Sequence, residues 1–205
     1  MKLIGITGGI GSGKSTLAHL LSEHYDIPII DADELSKRAT EREDVLCKIQ
    51  ETFGSHFVVD GVLNRGALGQ EVFTSNEKVK VLNSIIHPIV FEEFDSAISK
   101  CYYYDKEFII YDCPLLIEAN LVNTVDVVVV VESDIELRLN RMMKRTNLSR
   151  EQLEDRISRQ VSTEDRLKVA DIVVYNNAGL EDLTFSTASI FSEIQHKLCE
   201  KEHLI

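Results

Sequence analysis

One run of residues near the amino terminus limits the folds open to this chain more than any other feature. Residues Gly8 to Ser15 read Gly-Gly-Ile-Gly-Ser-Gly-Lys-Ser and fit the pattern G-x-x-x-x-G-K-[ST]. The apolar run Lys2 to Thr7 precedes them, and a helix-compatible run from Leu17 to Leu21 follows. Glycines let backbone N–H groups curve around phosphate oxygens without a Cβ in the way. The pattern therefore predicts a phosphate-binding loop between a strand and a helix.

The residues that the pattern fixes each have a chemical role. The helix that starts near Lys14 points its positive end at the bound anion. The Lys14 side chain can reach the β- and γ-phosphates of a nucleotide, and the Ser15 hydroxyl can bind Mg²⁺. The remaining residues expected to contact the nucleotide phosphates are Gly8, Gly11, Ser12, Gly13 and Thr16. The alternative is a glycine-rich turn that carries its lysine by chance.

Composition excludes several classes of partner. The 205 residues include 34 acidic and 22 basic side chains, and the net charge of −12 argues against nucleic acid or an anionic membrane surface as a partner.

The sequence has no apolar run of about 18 residues and no secretory signal, so we expect neither a membrane span nor export. The four cysteines form no C-x-x-C pair, which indicates neither zinc nor a disulfide framework. We expect a cytoplasmic protein.

Five strand-like runs alternate with helical runs, as in an α/β fold. The fourth is nearly all valine, which is typical of a parallel strand buried on both faces. We predict a three-layer α/β/α fold with a five-stranded parallel sheet. The predicted strands are Lys2 to Thr7, Ile27 to Asp31, Glu107 to Asp112, Val125 to Glu132 and Asp171 to Tyr175.

Unequal spacing between the strands predicts two additions to this core. Residues 32–105 are far more than one crossover helix needs, so we interpret them as an inserted, mostly helical lobe, with a boundary at His87-Pro88. Residues 146–168 form a shorter polar stretch that could close over a nucleotide. The core would then comprise residues 1–31, 106–145 and 169–205.

Local patterns predict where helices begin and which faces they bury. Ser133 to Glu136 and Ser149 to Gln152 each fit a capping box at a helix start. A carboxyl-terminal helix should bury one face. That face is Leu183, Thr187, Ile190, Phe191, Ile194 and Leu198.

Carboxylates follow two of the predicted strands, where parallel α/β folds place their ligands. Asp31 and Asp33 end the second strand, and either could orient an acceptor hydroxyl and take its proton while the other lies near the metal. The alternative role for them is capping of the next helix. Asp112 ends the third strand after four apolar residues and could hold Mg²⁺ through its waters.

A group of arginines provides local positive charge in an acidic chain. Arg138, Arg141 and Arg145 are spaced to share one helical face, and we favour phosphate binding for the last two. A neighbouring stripe should face the core; it consists of Ile135, Leu139 and Met142. Arg156 and Gln160 form a further pair. We interpret Arg150 and Arg159 as solvated partners of nearby acids.

The chain resembles the dephospho-CoA kinase family along nearly its whole length. The resemblance rests on the Gly8–Ser15 motif, Asp31-Ala32-Asp33, Leu63-Asn64-Arg65, His87-Pro88 and Asp112-Cys113-Pro114-Leu115-Leu116-Ile117-Glu118. It continues through Arg141, Arg145, Arg156, Gln160 and Ala170-Asp171-Ile172-Val173 with Asn176. Ile117, where an aromatic residue is expected, and Tyr175-Asn176-Asn177 depart slightly from the family pattern.

This resemblance implies a helical CoA-binding lobe, a lid and transfer of the ATP γ-phosphate to the ribose 3′-hydroxyl of dephospho-CoA with Mg²⁺. It implies that Asp33 is the base or the carboxylate that orients the acceptor, that Lys14 and Ser15 serve the phosphates and metal, and that Arg141 and Asn176 lie near the adenine end of ATP. Toward the acceptor it implies Arg65 and His87. We also expect Leu115 and Glu118 to bind the substrate; the alternative for Glu118 is a solvated charge at a helix end.

Other functions compatible with the motif remain open at this point. A different small-metabolite or nucleotide kinase would share the same core, because the inserted lobe decides the acceptor. A regulatory GTPase should carry an N-K-x-D element, which the sequence lacks. A transport or motor ATPase would need a longer chain.

Overall fold

The computed structural model describes residues 1–203, which divide into two compact units. One unit is built from Met1–Ile30 and the chain from Tyr104 onward, and the other from Asp31–Tyr103. The strands are β1 (Lys2–Gly8), β2 (Ile29–Asp31), β3 (Val58–Val59), β4 (Val62–Leu63), β5 (Phe108–Asp112), β6 (Val127–Glu132) and β7 (Ile172–Tyr175). The helices are α1 (Lys14–Tyr25), α2 (Ala32–Ala39), α3 (Glu43–Phe53), α4 (Arg65–Val72), α5 (Asn76–Tyr103), α6 (Ile135–Arg145), α7 (Arg150–Ser158), α8 (Thr163–Val169) and α9 (Leu180–Glu202).

The large sheet has β1 at its centre and the order β2-β5-β1-β6-β7. β1 pairs in parallel with β5 and β6, and β6 pairs in parallel with β7. The register sets Ile6 opposite Asp112 and Gly8 opposite Val131, so β1 runs two residues past the end of β5 and ends one residue before β6 does. The predicted α/β class and its five-stranded parallel sheet are confirmed.

All five predicted strands are present, but four of them begin later than predicted. β2 starts at Ile29 instead of Ile27, and β6 at Val127 instead of Val125; β5 and β7 each lose one residue. The apolar pattern begins before the ladder of hydrogen bonds does, because residues can be apolar and buried ahead of the first paired residue. Ile27, for example, is 3% exposed although it lies outside β2.

The core of the sheet unit lies between the sheet and helices α1 and α9. Alternate residues of β6, namely Val127, Val129 and Val131, pack in it with Leu17 and Leu21 of α1. The predicted buried face of α9 is confirmed for all six of its residues. In the described chain, residues 1–203, we find no helix with both the length and the hydropathy needed to cross a membrane.

The Asp31–Tyr103 unit is mostly helical, as predicted for the insertion, and it also contains a small hairpin that was not predicted. β3 and β4 pair antiparallel across Asp60-Gly61, both with positive φ (51° and 75°). That turn chemistry is typical of a two-residue hairpin. The unit has its own core, formed by Ala39, Val45, Ile49, Phe57, Leu68, Val72 and Ile89.

The predicted boundary at His87-Pro88 is wrong, because α5 continues through Pro88. A proline inside a helix costs about 3 kcal/mol through a lost hydrogen bond and a ring clash. Pro88 and Ser84, whose carbonyl loses its partner, both lie on the exposed side of α5, where water can bind that carbonyl. On the neighbouring, buried side Ile85 and Ile89 pack in the unit's core, and this burial offsets the cost of the proline.

The polar stretch 146–168 folds into two short helices, α7 and α8. The capping box predicted at Ser149 is confirmed: its side chain accepts from the Gln152 N–H, and the Gln152 side chain accepts from the Ser149 N–H. The capping box predicted at Ser133 is wrong. α6 is preceded by Asp134, which makes no side-chain cap, and the Ser133 hydroxyl is bonded elsewhere.

The buried face of α9 provides a stability prediction with an internal control. Ile194 is fully buried, whereas Phe185 on the same helix is 91% exposed. Ile194→Ala should lower the free energy of unfolding by about 2–5 kcal/mol because it leaves a cavity. Phe185→Ala should change it by less than about 0.5 kcal/mol. Urea unfolding followed by circular dichroism measures both, and equal losses would contradict this packing.

Candidate active site

The segment Gly8–Ser15, called the phosphate loop below, leaves the carboxyl end of β1 and runs into α1. Gly13 immediately precedes α1 and has φ = 99°, a left-handed conformation that glycine adopts readily. A Cβ at this position would lie 2.2 Å from the Asn176 side-chain nitrogen. Both the backbone conformation and the nearby Asn176 side chain therefore require glycine at this position of the motif.

Side chains outside the loop bind its carbonyl groups. The Asn176 side-chain nitrogen donates to the Ser12 carbonyl at 2.8 Å. Arg141 approaches the carbonyls of Gly11 and Ser12 at 3.4 and 3.5 Å. These two carbonyls are therefore bound by side chains from outside the loop, while the Ser12 N–H donates within the loop to the Gly9 carbonyl at 3.0 Å.

The Arg141 guanidinium joins the ends of two strands. It donates to the backbone carbonyl of Asn176 at 2.9 Å, after β7, and to the Ser133 hydroxyl at 3.1 Å, after β6. This bond explains why Ser133 does not cap α6. Arg141 and Asn176, which the resemblance places together near the adenine, are bonded to each other beside the phosphate loop.

Lys14 connects the phosphate loop with the end of β5. Its ammonium donates to the Asp112 carboxylate at 2.6 Å and lies 3.1 Å from the Ser15 hydroxyl. Asp112 is 2% exposed. A charge-assisted bond at this depth is among the stronger polar contacts in a protein. The residues predicted for the phosphates and the metal, Lys14, Ser15 and Asp112, thus form one cluster.

Two polar atoms at the phosphate loop are buried without a partner. Over residues 1–203, the Ser12 hydroxyl and the side-chain oxygen of Asn176 make no hydrogen bond. Ser12 is fully buried and Asn176 is 8% exposed. Unsatisfied buried polar groups are uncommon and costly. Their concentration at this loop is typical of a site that binds a polar ligand.

The segment after α7 also contacts this region. The Gln160 side-chain oxygen accepts from the Ile10 N–H at 2.9 Å, and Glu118 accepts from the Val161 N–H at 3.1 Å. Glu118 is exposed and lies in the turn that follows β5. Arg156, which was paired with Gln160 on the basis of spacing, is exposed.

The arrangement predicted for α6 needs correction. Arg138 and Arg145, predicted to share one basic face, differ in environment, since Arg138 is 3% exposed whereas Arg145 is exposed. Ile135, predicted to face the core, is 46% exposed. Arg138 lies against the phosphate loop, and its Nε donates to the Ile10 carbonyl at 2.9 Å.

Sequence reasoning also missed the buried pair of Arg166 and Glu132. Arg166 of α8 is 5% exposed and donates to the carboxylate of Glu132, which is 3% exposed at the end of β6. A signal for the pair was present in the sequence. A carboxylate that ends an all-valine buried strand needs a cationic partner, because charged groups are almost never fully buried unless paired.

Arg150 and Arg159 are solvated ion-pair residues, as interpreted from the sequence. Arg150 bonds Glu136 and Glu154, and Arg159 bonds Asp155. The hydrogen bond from Arg150 holds the pKa of the Glu136 carboxyl below its usual value. Such exposed pairs add little stability.

Four predicted acceptor-side or catalytic residues belong to the Asp31–Tyr103 unit. The Asp31 carboxylate accepts from the N–H groups of Asp33 and Glu34, at 2.8 and 3.1 Å, and so caps α2. Asp33 is exposed in the first turn of that helix. Arg65 opens α4 and donates to the Lys37 carbonyl at 2.8 Å. His87 is exposed on α5. In the sheet unit, Thr16 and Leu115 are also exposed.

The fold and this cluster define a P-loop kinase: a glycine-rich loop after the central parallel strand, its lysine and serine, and a buried aspartate at the end of the adjacent strand. The model of the dephospho-CoA kinase family (CoaE) matches residues 2–182. The chain belongs to that family.

Individual relatives agree with this assignment. The dephospho-CoA kinase of Corynebacterium glutamicum is 40% identical over 196 residues, which cover 95% of this chain and 98% of that protein. The crystal structure of TT1252 from Thermus thermophilus has a TM-score of 0.83 at 34% identity, covering 94% of this chain and 97% of the other. Dephospho-CoA kinase from Campylobacter jejuni has a TM-score of 0.68 at 25% identity, covering 94% and 96%.

Gly13→Ala tests the construction of the phosphate loop. The added methyl meets the Asn176 side chain in a backbone conformation that alanine tolerates poorly. We expect ATP affinity, measured by calorimetry, to fall at least tenfold. Gly66→Ala is the control, since its Cβ would meet no atom closer than 3.7 Å within a helix. Unchanged ATP affinity in Gly13→Ala would contradict the site.

Proposed function

We propose that this protein transfers the γ-phosphate of ATP to the ribose 3′-hydroxyl of dephospho-CoA and so forms coenzyme A. The observation that carries the proposal is the family match over residues 2–182, which spans the phosphate loop and the whole Asp31–Tyr103 unit. Another small-metabolite kinase on the same core is the alternative, and the family match disfavours it.

The phosphate loop binds the triphosphate in this proposal. Its N–H groups and the α1 N-terminus face the phosphates, through Gly8, Gly11, Ser12, Gly13 and Thr16. The Lys14 ammonium, next to Asp112 at 2.6 Å, exchanges that carboxylate for the β- and γ-phosphate oxygens. Charge that develops on the transferring group is stabilised by these fixed donors and needs no reorganisation of water.

The residues beside Lys14 fit Mg²⁺ that arrives with the nucleotide. No cluster of three His, Cys, Asp or Glu side chains suited to a metal occurs within residues 1–203. Kinases need none, because Mg²⁺ keeps several waters and is bound by one or two carboxylates plus phosphate oxygens. Ser15 and Asp112 would hold the metal, with Asp31 as a further candidate. When bound, the metal neutralises charge on the β- and γ-phosphates.

Asp33 acts as the base in this mechanism. Its carboxylate orients the 3′-hydroxyl and takes its proton while the hydroxyl oxygen bonds to the γ-phosphorus. The bond from that phosphorus to the β,γ-bridging oxygen breaks, and ADP leaves. Two observations support this role: Asp33 is exposed in the first turn of α2, and the cap of that helix is Asp31.

The other site residues receive binding roles. Arg141 and Asn176, bonded to each other beside the phosphate loop, lie toward the adenine end of ATP, and Arg141 also stabilises the reacting nucleotide. Arg145 contributes positive charge to the nucleotide. Arg65, His87, Leu115 and Glu118 bind the acceptor.

We assign regions accordingly. Residues 1–31, 106–145 and 169–205 form the core, residues 32–105 the CoA lobe, and residues 146–168 a lid that carries α7 and α8. The substrates are ATP and dephospho-CoA, with no nucleic acid or membrane partner. The net charge of −12 supports the first exclusion. A cytoplasmic location fits a chain without a disulfide pattern.

An acceptor screen tests the activity. ATP consumption should be rapid with dephospho-CoA and near background with adenosine, AMP, shikimate or gluconate, and the product should carry a new 3′-phosphate by mass spectrometry and phosphorus NMR. Lys14→Ala should remove most turnover while the variant still folds, with a lower melting temperature because Asp112 loses its buried partner. Preference for another acceptor would favour the alternative kinase.

Asp33→Asn separates catalysis from helix capping. We expect kcat to fall at least 100-fold, because general-base catalysis contributes about 10²–10⁴, while the KM for ATP changes little. Glu34→Gln removes a neighbouring charge from the same first turn and serves as the control. If both variants only lower the melting temperature to a similar extent, Asp33 is a helix-terminal charge and not the base.

A further inference from the structure

Ile10, at the tip of the phosphate loop, is held on both sides. Its N–H donates to the side-chain oxygen of Gln160, and its carbonyl accepts from Nε of Arg138, both at 2.9 Å. Gln160 follows α7 and Arg138 belongs to α6. Two side chains from distant parts of the sequence therefore fix the orientation of the peptide groups around one residue of the loop.

The Arg138 guanidinium lies directly against the backbone of the loop at Gly9. A Cβ on Gly9 would approach its Nη2 to 2.3 Å and its Cζ to 2.4 Å. The motif G-x-x-x-x-G-K-[ST] does not require glycine at this position. Glycine stands there because the guanidinium occupies the space that a side chain would need.

Arg138 is part of a buried cluster with excess positive charge. Arg166 donates to one oxygen of the Glu132 carboxylate, and Nη1 of Arg138 lies 3.9 Å from the other. Two guanidinium groups thus share one carboxylate. Burial lowers the pKa of Arg138, Glu132 opposes that change and Arg166 adds to it. Arginine nevertheless stays charged in proteins.

The guanidinium also has an unsatisfied donor. Nη2 of Arg138 makes no hydrogen bond to any part of the chain from residue 1 to residue 203, although the side chain is almost fully buried. A buried cation without full compensation is unfavourable for the protein alone. An anion bound on the other side of the loop would offset that cost, since charges interact more strongly away from water.

We propose that Arg138 is a positioning residue for ATP: with Gln160 it fixes the peptide groups of Ile10, and its charge behind the loop strengthens the binding of the polyphosphate. This inference rests on the proposed function for the identity of the nucleotide. Arg138 does not contact the reacting atoms in this proposal. Arg138 acts through the loop, and ATP rather than dephospho-CoA is the substrate it affects.

Three variants test this proposal, with Mg²⁺ and ATP as the probe in calorimetry. Arg138→Met keeps an unbranched apolar stem but removes the guanidinium, and should raise the Kd for ATP about tenfold, since a charged hydrogen bond is lost. Arg138→Lys should recover part of that loss. Arg159→Met removes an exposed guanidinium paired with Asp155 and should change the Kd less than twofold.

Charge dependence and stability distinguish positioning from a purely structural role. The loss in Arg138→Met should be larger for ATP than for ADP and smallest for AMP, while the KM for dephospho-CoA stays nearly constant. The Ile10 carbonyl loses its donor, so the melting temperature of the free protein should also fall. A lower melting temperature with unchanged ATP affinity would overturn the proposal.

Gln160→Ala provides an independent measurement if Arg138→Met does not fold. It should weaken ATP binding several-fold, and the double variant should lose less than the product of the two single losses, because both side chains act through Ile10. Unchanged ATP affinity in Gln160→Ala would count against the proposal. These binding measurements need no acceptor, so a failed acceptor screen would reject the proposed function without deciding the role of Arg138.

Discussion

The structure depends on how the carbonyl groups of the phosphate loop are satisfied. A loop whose N–H groups face an anion must turn carbonyls the other way, and buried carbonyls need donors. Here Arg138 binds the Ile10 carbonyl, and Asn176 binds that of Ser12 with Arg141 nearby. These donors come from α6 and from the residue after β7. The glycine-rich motif therefore makes the loop conformation possible, and side chains more than 100 residues away hold it.

This arrangement explains why the sheet order matters for the chemistry. β1 lies between β5 and β6, so the loop that leaves β1 is flanked by the residues that end both neighbours. Asp112 after β5 bonds Lys14 on one side, and Glu132 at the end of β6 anchors the buried arginines on the other. Negative charge at two strand ends thus fixes the positive groups that a polyphosphate needs.

Much of this was accessible from the sequence because the relevant signals are local. The loop motif, the valine run of β6, the apolar face of α9 and the capping box at Ser149 depend on short spacings, and the structure has each of them. Long-range contacts were missed. Spacing placed Arg138 with Arg145 on one helical face, but the Ile10 carbonyl that Arg138 binds lies 128 positions away and nothing local indicates it. Pro88 was misread for the related reason that packing outweighs a local helix breaker.

The contact between Arg138 and Gly9 has a consequence for comparing relatives of this chain. The two positions cannot vary independently, because a methyl group at 9 and a guanidinium at 138 would occupy the same volume. A homologue with alanine at position 9 must carry a shorter or differently directed side chain at position 138. A homologue with glycine at position 9 can carry arginine or a shorter side chain at position 138. Substitution at this pair should therefore be asymmetric: arginine at 138 requires glycine at 9, but glycine at 9 does not require arginine.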